Sequence, residues 1–104
     1  MESKISNALL EMGADPSLKG FSYTIYALMY LYDNGKDLSQ VRIHDLFQYV
    51  ADKVDVSKSS VERAIRYTLA KLNRDLSLTK VLIGEKRKPT KHTLQLIYLR
   101  LKED

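Results

Sequence analysis

Apolar residues recur along the chain at the three- and four-residue spacing of α-helices. The first such segment ends at Gly13, which can take the left-handed conformation of a helix cap. Asp15 and Pro16 then form a start signal for a second helix, which the pattern extends to about residues 34–35. Because residues 21–32 are apolar nearly all round, we place this helix in the middle of a bundle.

Four further helices are predicted after the polar break at residues 34–37. The pattern places them at about residues 41–55, 57 or 59 to 73, 75–83 and 90–101. Asp75 and Thr90 are the expected caps of the last two. No alternating apolar pattern or hairpin turn indicates a strand. The predicted fold class is therefore all-α, with about six helices in one compact domain over residues 1–104.

Composition narrows the class of protein. With 44% hydrophobic residues, 29% charged residues and no cysteine, the chain fits a soluble globular protein without disulfides or thiolate metal sites. No apolar run approaches the ~20 residues of a membrane span, so we expect a cytoplasmic protein. Seventeen Lys and Arg against thirteen Asp and Glu give a net charge of +4, a mild indication of a polyanionic partner.

Residues 50–66, VADKVDVSKSSVERAIR, have the spacing of a helix-turn-helix, which we place at about residues 43–73. Ala51 supplies the small residue where the second helix crosses the first. Asp55 occupies the turn position that is often Gly, and Asp is among the few other residues that tolerate positive φ. The valines expected to lock the inside of the angle are Val50, Val54, Val56 and Val61.

The second helix of this motif should bury a stripe around Val61 and expose a polar face. At about 100° per residue, Glu62, Arg63 and Arg66 lie on the exposed side, followed by the small Ala70. Arginine can bond guanine in a bidentate manner and glutamate can accept from cytosine, so we predict that these three charged residues contact bases. The start of the helix suits phosphate contacts from Ser57, Lys58, Ser59 and Ser60.

The same charged residues have plainer explanations. Glu62 stands three residues after Ser59 and four before Arg66, so it could close a capping box or form a surface ion pair. Exposed arginines are usually just solvated. The helix-turn-helix frame is what favours DNA contact for Arg63 and Arg66.

A second basic cluster precedes the last helix. Here backbone amides at a helix start could join cationic side chains in holding a phosphate. Such contacts would position the domain without discriminating sequence. The residues predicted to contact the DNA backbone here are Lys86, Arg87, Lys88, Thr90 and Lys91.

Three segments resemble a known family in order and spacing: LKGFSY at 18–23, VERAIR at 61–66 and KPT at 88–90. The family is that of the C-terminal DNA-binding effector domains of stage zero sporulation protein A, the sporulation response regulator of endospore-forming bacteria. The similarity covers about residues 5–102. It implies six helices, binding to promoter boxes often as two copies in tandem, and a bacterial protein that is associated with the nucleoid when bound. It also implies that Glu62, Arg63 and Arg66 lie on the recognition helix.

The sequence departs from the family pattern on this helix. Ser60 replaces an arginine and Tyr67 replaces a histidine, so we expect a different target sequence and assign Tyr67 to the backbone-contacting set. The segment between Asn73 and Pro89 is a few residues shorter than in the family, where it also touches RNA polymerase, and polymerase contact is therefore an open question. Since no phosphorylatable receiver domain accompanies the helices, we expect a stand-alone relative or an excised domain.

Two other classes of function compete with DNA binding. A face with Tyr23, Tyr26 and Tyr30 could bind a protein partner, although packing within the bundle is the simpler explanation. Catalysis has little support, because His44 and His92 have no nucleophile or second ligand at a useful spacing. We predict sequence-specific binding of double-stranded DNA by a transcription regulator, without enzyme activity, cofactor or metal. The alternative is a helical protein-interaction module.

Overall fold

Six α-helices and no strands make up residues 1–103, the part of the chain that the computed structural model describes. The helices are α1 (Glu2–Glu11), α2 (Lys19–Asn34), α3 (Ile43–Val54), α4 (Lys58–Ala70), α5 (Ser77–Ile83) and α6 (Thr90–Lys102). This confirms the all-α prediction. Within the same residues, no helix has the length and apolar character needed to cross a membrane.

The expected start of α2 is wrong. The Asp15 carboxylate accepts hydrogen bonds from the backbone N–H and the hydroxyl of Ser17, at 2.9 and 2.7 Å, and so closes a local turn. The helix begins only at Lys19, after Leu18 in an extended conformation. Asp15 therefore closes this preceding turn and does not cap α2, which starts four residues later.

The segments around α5 also differ from the prediction. α4 ends at Ala70 rather than Asn73, and the Asn73 N–H donates to the Met12 carbonyl at 2.9 Å, outside any helix. Asp75 is not a cap, since α5 begins at Ser77 after Leu76. Thr90 is not a cap either: it is the first residue of α6, after Pro89 in the capping position.

Helix α2 lies in the middle of the bundle, as predicted, with α1, α3, α4 and α6 packed around it. Its closest neighbour is α4. A Cβ atom placed on Gly20 would lie 2.1 Å from both the Ala64 carbonyl oxygen and the Thr68 Oγ1 atom, so the two helix backbones meet with no space between them. The hydroxyl of Thr68 donates back to the Ala64 carbonyl at 2.9 Å, which satisfies it inside the contact.

The turn between α3 and α4 has the predicted geometry. Asp55 is in the left-handed region at φ 58° and ψ 51°, and the Val56 N–H donates to the Ala51 carbonyl at 3.1 Å across the end of α3. Ala51, Val50 and Val61 are buried. The expected role of Val56 is wrong, because its side chain is 37% exposed and lies outside the angle.

The tyrosine face of α2 packs mainly within the molecule. Tyr23 is buried, and the rings of Tyr30 and Tyr49 of α3 have their centroids 4.4 Å apart. The Lys53 ammonium lies 5.2 Å from the centroid of the Tyr26 ring. Packing against a neighbouring helix therefore accounts for this face.

Candidate nucleic-acid interface

Helix α4 turns its polar side to solvent. Its inner stripe of Val61, Ile65 and Leu69 is buried, which leaves Arg63 and Arg66 exposed on the outside. Helical periodicity therefore puts both guanidinium groups on the outer face of the second helix of the helix-turn-helix, the face that enters the major groove in proteins of this kind.

The first turn of α4 is built from serines. Ser57 is the N-cap, and its Oγ atom accepts from the Ser60 N–H at 3.1 Å and donates to the Ser60 Oγ atom at 2.8 Å. Lys58, Ser59 and Ser60 are all exposed. Because Ser57 is the cap, the alternative of a capping box between Ser59 and Glu62 is wrong.

Glu62 pairs with Arg66 one helical turn later. Nη1 of Arg66 lies 3.1 Å from one carboxylate oxygen and 3.4 Å from the other, with the two side chains 57% and 36% exposed for arginine and glutamate. Such an exposed pair contributes only a few tenths of a kcal/mol to stability. Its consequence is positional, since it holds the Arg66 guanidinium to one side of the outer face while leaving other N–H donors available.

Tyr67 occupies the opposite flank of the outer face. Its side chain is 53% exposed, and the Lys71 ammonium lies 5.2 Å from the centroid of its ring. Together with Arg63 and Ser60 it borders a shallow depression on the surface of α4. A phenol beside an ammonium group presents both a hydroxyl and a positive charge at this flank.

The basic segment between α5 and α6 divides into exposed and anchored residues. Lys86, Arg87 and Lys91 are exposed. Lys88 is half-buried, and its ammonium donates to the Ile83 carbonyl at 3.0 Å, so it ties the segment to the end of α5. Its charge thus has a structural use that the sequence did not indicate.

The structure brings the two predicted basic regions together. Arg66 of α4 lines one narrow cleft with Arg87, Lys88 and Thr90, which belong to the segment before α6 and to its first turn. Lys91 lies instead beside the start of α3, near Arg42. Arg66, a predicted base-contacting residue, therefore lies in the same cleft as three of the predicted backbone-contacting residues.

Arg74 is a member of this cleft that was not predicted from the sequence. Its Nη1 atom is buried and has no hydrogen-bond partner within residues 1–103. The signal that could have pointed to it is its position eight residues after Arg66, which is about two helical turns. That spacing is easily overlooked because α4 ends at Ala70.

No metal centre emerges from the described part of the chain, where no three His, Asp or Glu side chains are grouped so as to hold an ion. A comparison with protein families gives a match over residues 5–97 to the family described as Sporulation initiation factor Spo0A C terminal. This confirms the resemblance in LKGFSY, VERAIR and KPT. The match covers most of the 104 residues, and the chain therefore belongs to this family of DNA-binding effector domains, which act in transcription regulation and sporulation and are not enzymes.

Proposed function

We propose that this domain binds double-stranded DNA in a sequence-specific manner, with α4 in the major groove, and thereby regulates transcription. The observation that carries the proposal is the pair of exposed arginines, Arg63 and Arg66, on the outer face of the second helix of a helix-turn-helix. Membership of a DNA-binding family supports it independently.

The three proposed base-contacting residues have different roles. Arg63 is exposed, and no ion pair or hydrogen bond holds its side chain within residues 1–103, so it can reorient toward a guanine. Arg66 starts from its pair with Glu62, which restricts the directions available to its guanidinium group. Glu62 accepts from Arg66 in the free protein and can accept from a cytosine amino group in the complex.

Two groups of backbone contacts would flank the base contacts. On one side are Ser57, Lys58, Ser59, Ser60 and Tyr67 of the α4 segment, and on the other are Lys86, Arg87, Lys88, Thr90 and Lys91 around the start of α6. These residues would fix how the domain sits on the duplex without discriminating sequence. Promoter DNA in the bacterial cytoplasm is the proposed partner. The family resemblance also suggests RNA polymerase and a second copy in tandem.

Selection of bound duplexes from a random pool tests the proposal directly. The wild type should enrich a defined sequence, and Arg66→Ala should lose the preference at one or two bases, a discrimination of about 1–3 kcal/mol. Lys86→Ala should weaken all sequences alike and lower the salt slope of log K by about 1. Lys86 is the better control than Lys88, because the Lys88 ammonium also anchors its segment to Ile83. A wild type that enriches no sequence contradicts specific binding.

The salt dependence of binding separates DNA recognition from the protein-interaction alternative. Affinity for DNA should fall steeply from low to moderate ionic strength, because binding releases counterions from the phosphates. Contact with an apolar partner surface should hardly respond. The packing of Tyr26 and Tyr30 against α3 gives the protein-interaction alternative less support than DNA binding.

A further inference from the structure

The cleft between the end of α4 and the start of α6 is small and strongly cationic. Its walls carry four cationic residues, Arg66, Arg74, Arg87 and Lys88, together with Thr90 of the first turn of α6. Its free volume is about 30 Å³, enough for one water-sized group but not for a larger molecule. Among residues 1–103, no carboxylate lines it.

Arg74, one of the residues that line the cleft, has an unsatisfied donor. Nη1 of Arg74 is buried without a hydrogen-bond partner, and a buried charged donor without an acceptor is costly. Three of the other polar side chains that line the cleft are cations that carry only donors, and neither the Thr90 nor the Thr93 hydroxyl accepts from Nη1 of Arg74 within residues 1–103. An acceptor from outside the chain would satisfy this donor, and a negative oxygen suits a site lined by four cations best.

The start of α6 also has backbone N–H donors that no side chain caps. Pro89 occupies the capping position and no side chain caps the first turn, so its backbone amides lie beside the cleft without a side-chain acceptor. A helix start also attracts negative charge through the helix dipole. The cleft thus combines a helix start, an unpartnered guanidinium nitrogen and three further cations.

We propose that this cleft is a phosphate-binding site, in which one oxygen of a DNA backbone phosphate enters and accepts from Nη1 of Arg74. The inference rests on the proposed DNA binding and extends it to a residue outside the predicted contact set. Arg66 borders the cleft and also lies on the outer face of α4, so a phosphate held here would fix the register of α4 in the groove. A free phosphate ion shares the same chemistry, and the experiments below separate the two sources.

The first test compares Arg74→Gln with Arg100→Gln. Both remove one guanidinium group, but Arg100 is near the other end of α6, ten residues or about 15 Å from Thr90, where it donates to the Val81 carbonyl. Arg74→Gln should weaken binding to every duplex about tenfold at low salt and reduce the salt slope by about 0.9. Arg100→Gln should change affinity less than twofold. Equal effects of the two substitutions would overturn the inference.

A purely structural role for Arg74 is tested by the salt slope of DNA binding, which a change in folding stability alone does not alter. Urea unfolding establishes that Arg74→Gln is folded before its salt slope is measured. Should it not fold, Arg74→Lys replaces it, and we expect the lysine variant to keep the salt slope while losing about threefold in affinity. A lysine variant with wild-type affinity overturns the assignment of Nη1 as the donor.

The second test locates the phosphate. In a duplex carrying neutral methylphosphonate at one position at a time, the wild type should lose affinity about tenfold at a single position near the α4 site, and Arg74→Gln should lose nothing further there. Inorganic phosphate, as the free-ion probe, should raise the unfolding temperature of the wild type but not of Arg74→Gln. Stabilisation by inorganic phosphate without a sensitive methylphosphonate position would overturn the assignment to DNA. A wild type that binds no duplex defeats the proposed function itself.

Discussion

The two sides of α4 differ in how completely they are packed. Toward α2, the backbone at Gly20 meets that of Ala64 so closely that a single added carbon would lie 2.1 Å from an oxygen. Toward α6, a cleft of about 30 Å³ is lined by Arg74, whose buried Nη1 atom has no acceptor among residues 1–103. The α2 side of α4 has no room for another atom, whereas the α6 side has a donor that lacks an acceptor atom.

This difference shows how a small domain can fix a helix by close packing on one side and leave an unpaired hydrogen-bond donor on the other side. The contact with α2 depends only on shape, because the Thr68 hydroxyl is satisfied within its own helix by the Ala64 carbonyl. On the α6 side, four of the eight residues that line the cleft carry a positive charge. We therefore expect added atoms to cost more stability on the α2 side, and the proposed phosphate lies on the α6 side.

The largest expected effect on stability comes from adding one carbon on the α2 side of α4. Gly20→Ala should lower the free energy of unfolding by about 3 kcal/mol or more, because the new Cβ would force apart two helix backbones. Urea unfolding followed by circular dichroism measures the change. Ser22→Ala, two residues after Gly20 on the same helix, is the control and should stay within about 0.5 kcal/mol.

A double substitution decides whether the clash at Gly20 is with backbone or side chain. Thr68→Ala removes the Oγ1 atom from the site but leaves the Ala64 carbonyl oxygen, which is equally close. The variant with both Gly20→Ala and Thr68→Ala should therefore remain as unstable as Gly20→Ala alone. Recovery of stability in the double variant would show that a flexible side chain, and not helix contact, sets the limit.

An intermediate effect is expected from adding atoms on the α6 side of α4, where the cleft lies. Ala70 is half-exposed and lines the cleft, so Ala70→Leu should change the free energy of unfolding by less than about 1 kcal/mol. The larger side chain would obstruct the approach of α4 to DNA, and we expect a loss of about tenfold in affinity, equivalent to about 1.4 kcal/mol. Urea unfolding and DNA titration on the same preparation measure both. A loss of stability comparable to that of Gly20→Ala would remove the contrast between the two sides.

The features that could be predicted from the sequence depend on interactions between residues that are close together along the chain. The turn at Asp55 was predictable because positive φ is a local property of one residue, and the structure has it at φ 58°. The outer face of α4 was predictable because helical periodicity alone orients Arg63 and Arg66. Both results depend on neighbours within a few residues along the chain.

The remaining features depend on contacts between distant segments. The closeness of Gly20 to Ala64 joins residues from different helices, and nothing in the local pattern at Gly20 indicates it. The end of α4 is set where Asn73 bonds to Met12, far away in sequence. Arg74 follows directly and so enters a cleft that forms only when α4 and α6 come together. Membership of the cleft could not be predicted without the tertiary arrangement.

The smallest expected effect concerns the two ends of α2, the helix that closes one side of α4. Hydrogen bonds from Ser17 hold the pKa of Asp15 below its usual value, and those from Ser39 do the same for the pKa of Asp37. A lowered folded-state pKa gives stability that is present above the unfolded value and is lost as pH falls through the folded value, so the loss should begin below about pH 4. Both carboxylates are fully exposed, and the effect should be slight.

A variant carrying Asp15→Asn and Asp37→Asn isolates this contribution. It should be slightly less stable than the wild type at pH 6, and the difference should shrink as pH falls below about 4 and the carboxyl groups of the folded wild type become protonated. Urea midpoints measured across that range report the difference. Ser39→Ala, which removes the hydroxyl donor of Asp37, should reproduce part of it. A difference that does not shrink as the pH falls below about 4 would mean that the turns at the ends of α2 depend on shape, like its contact with α4, rather than on charge.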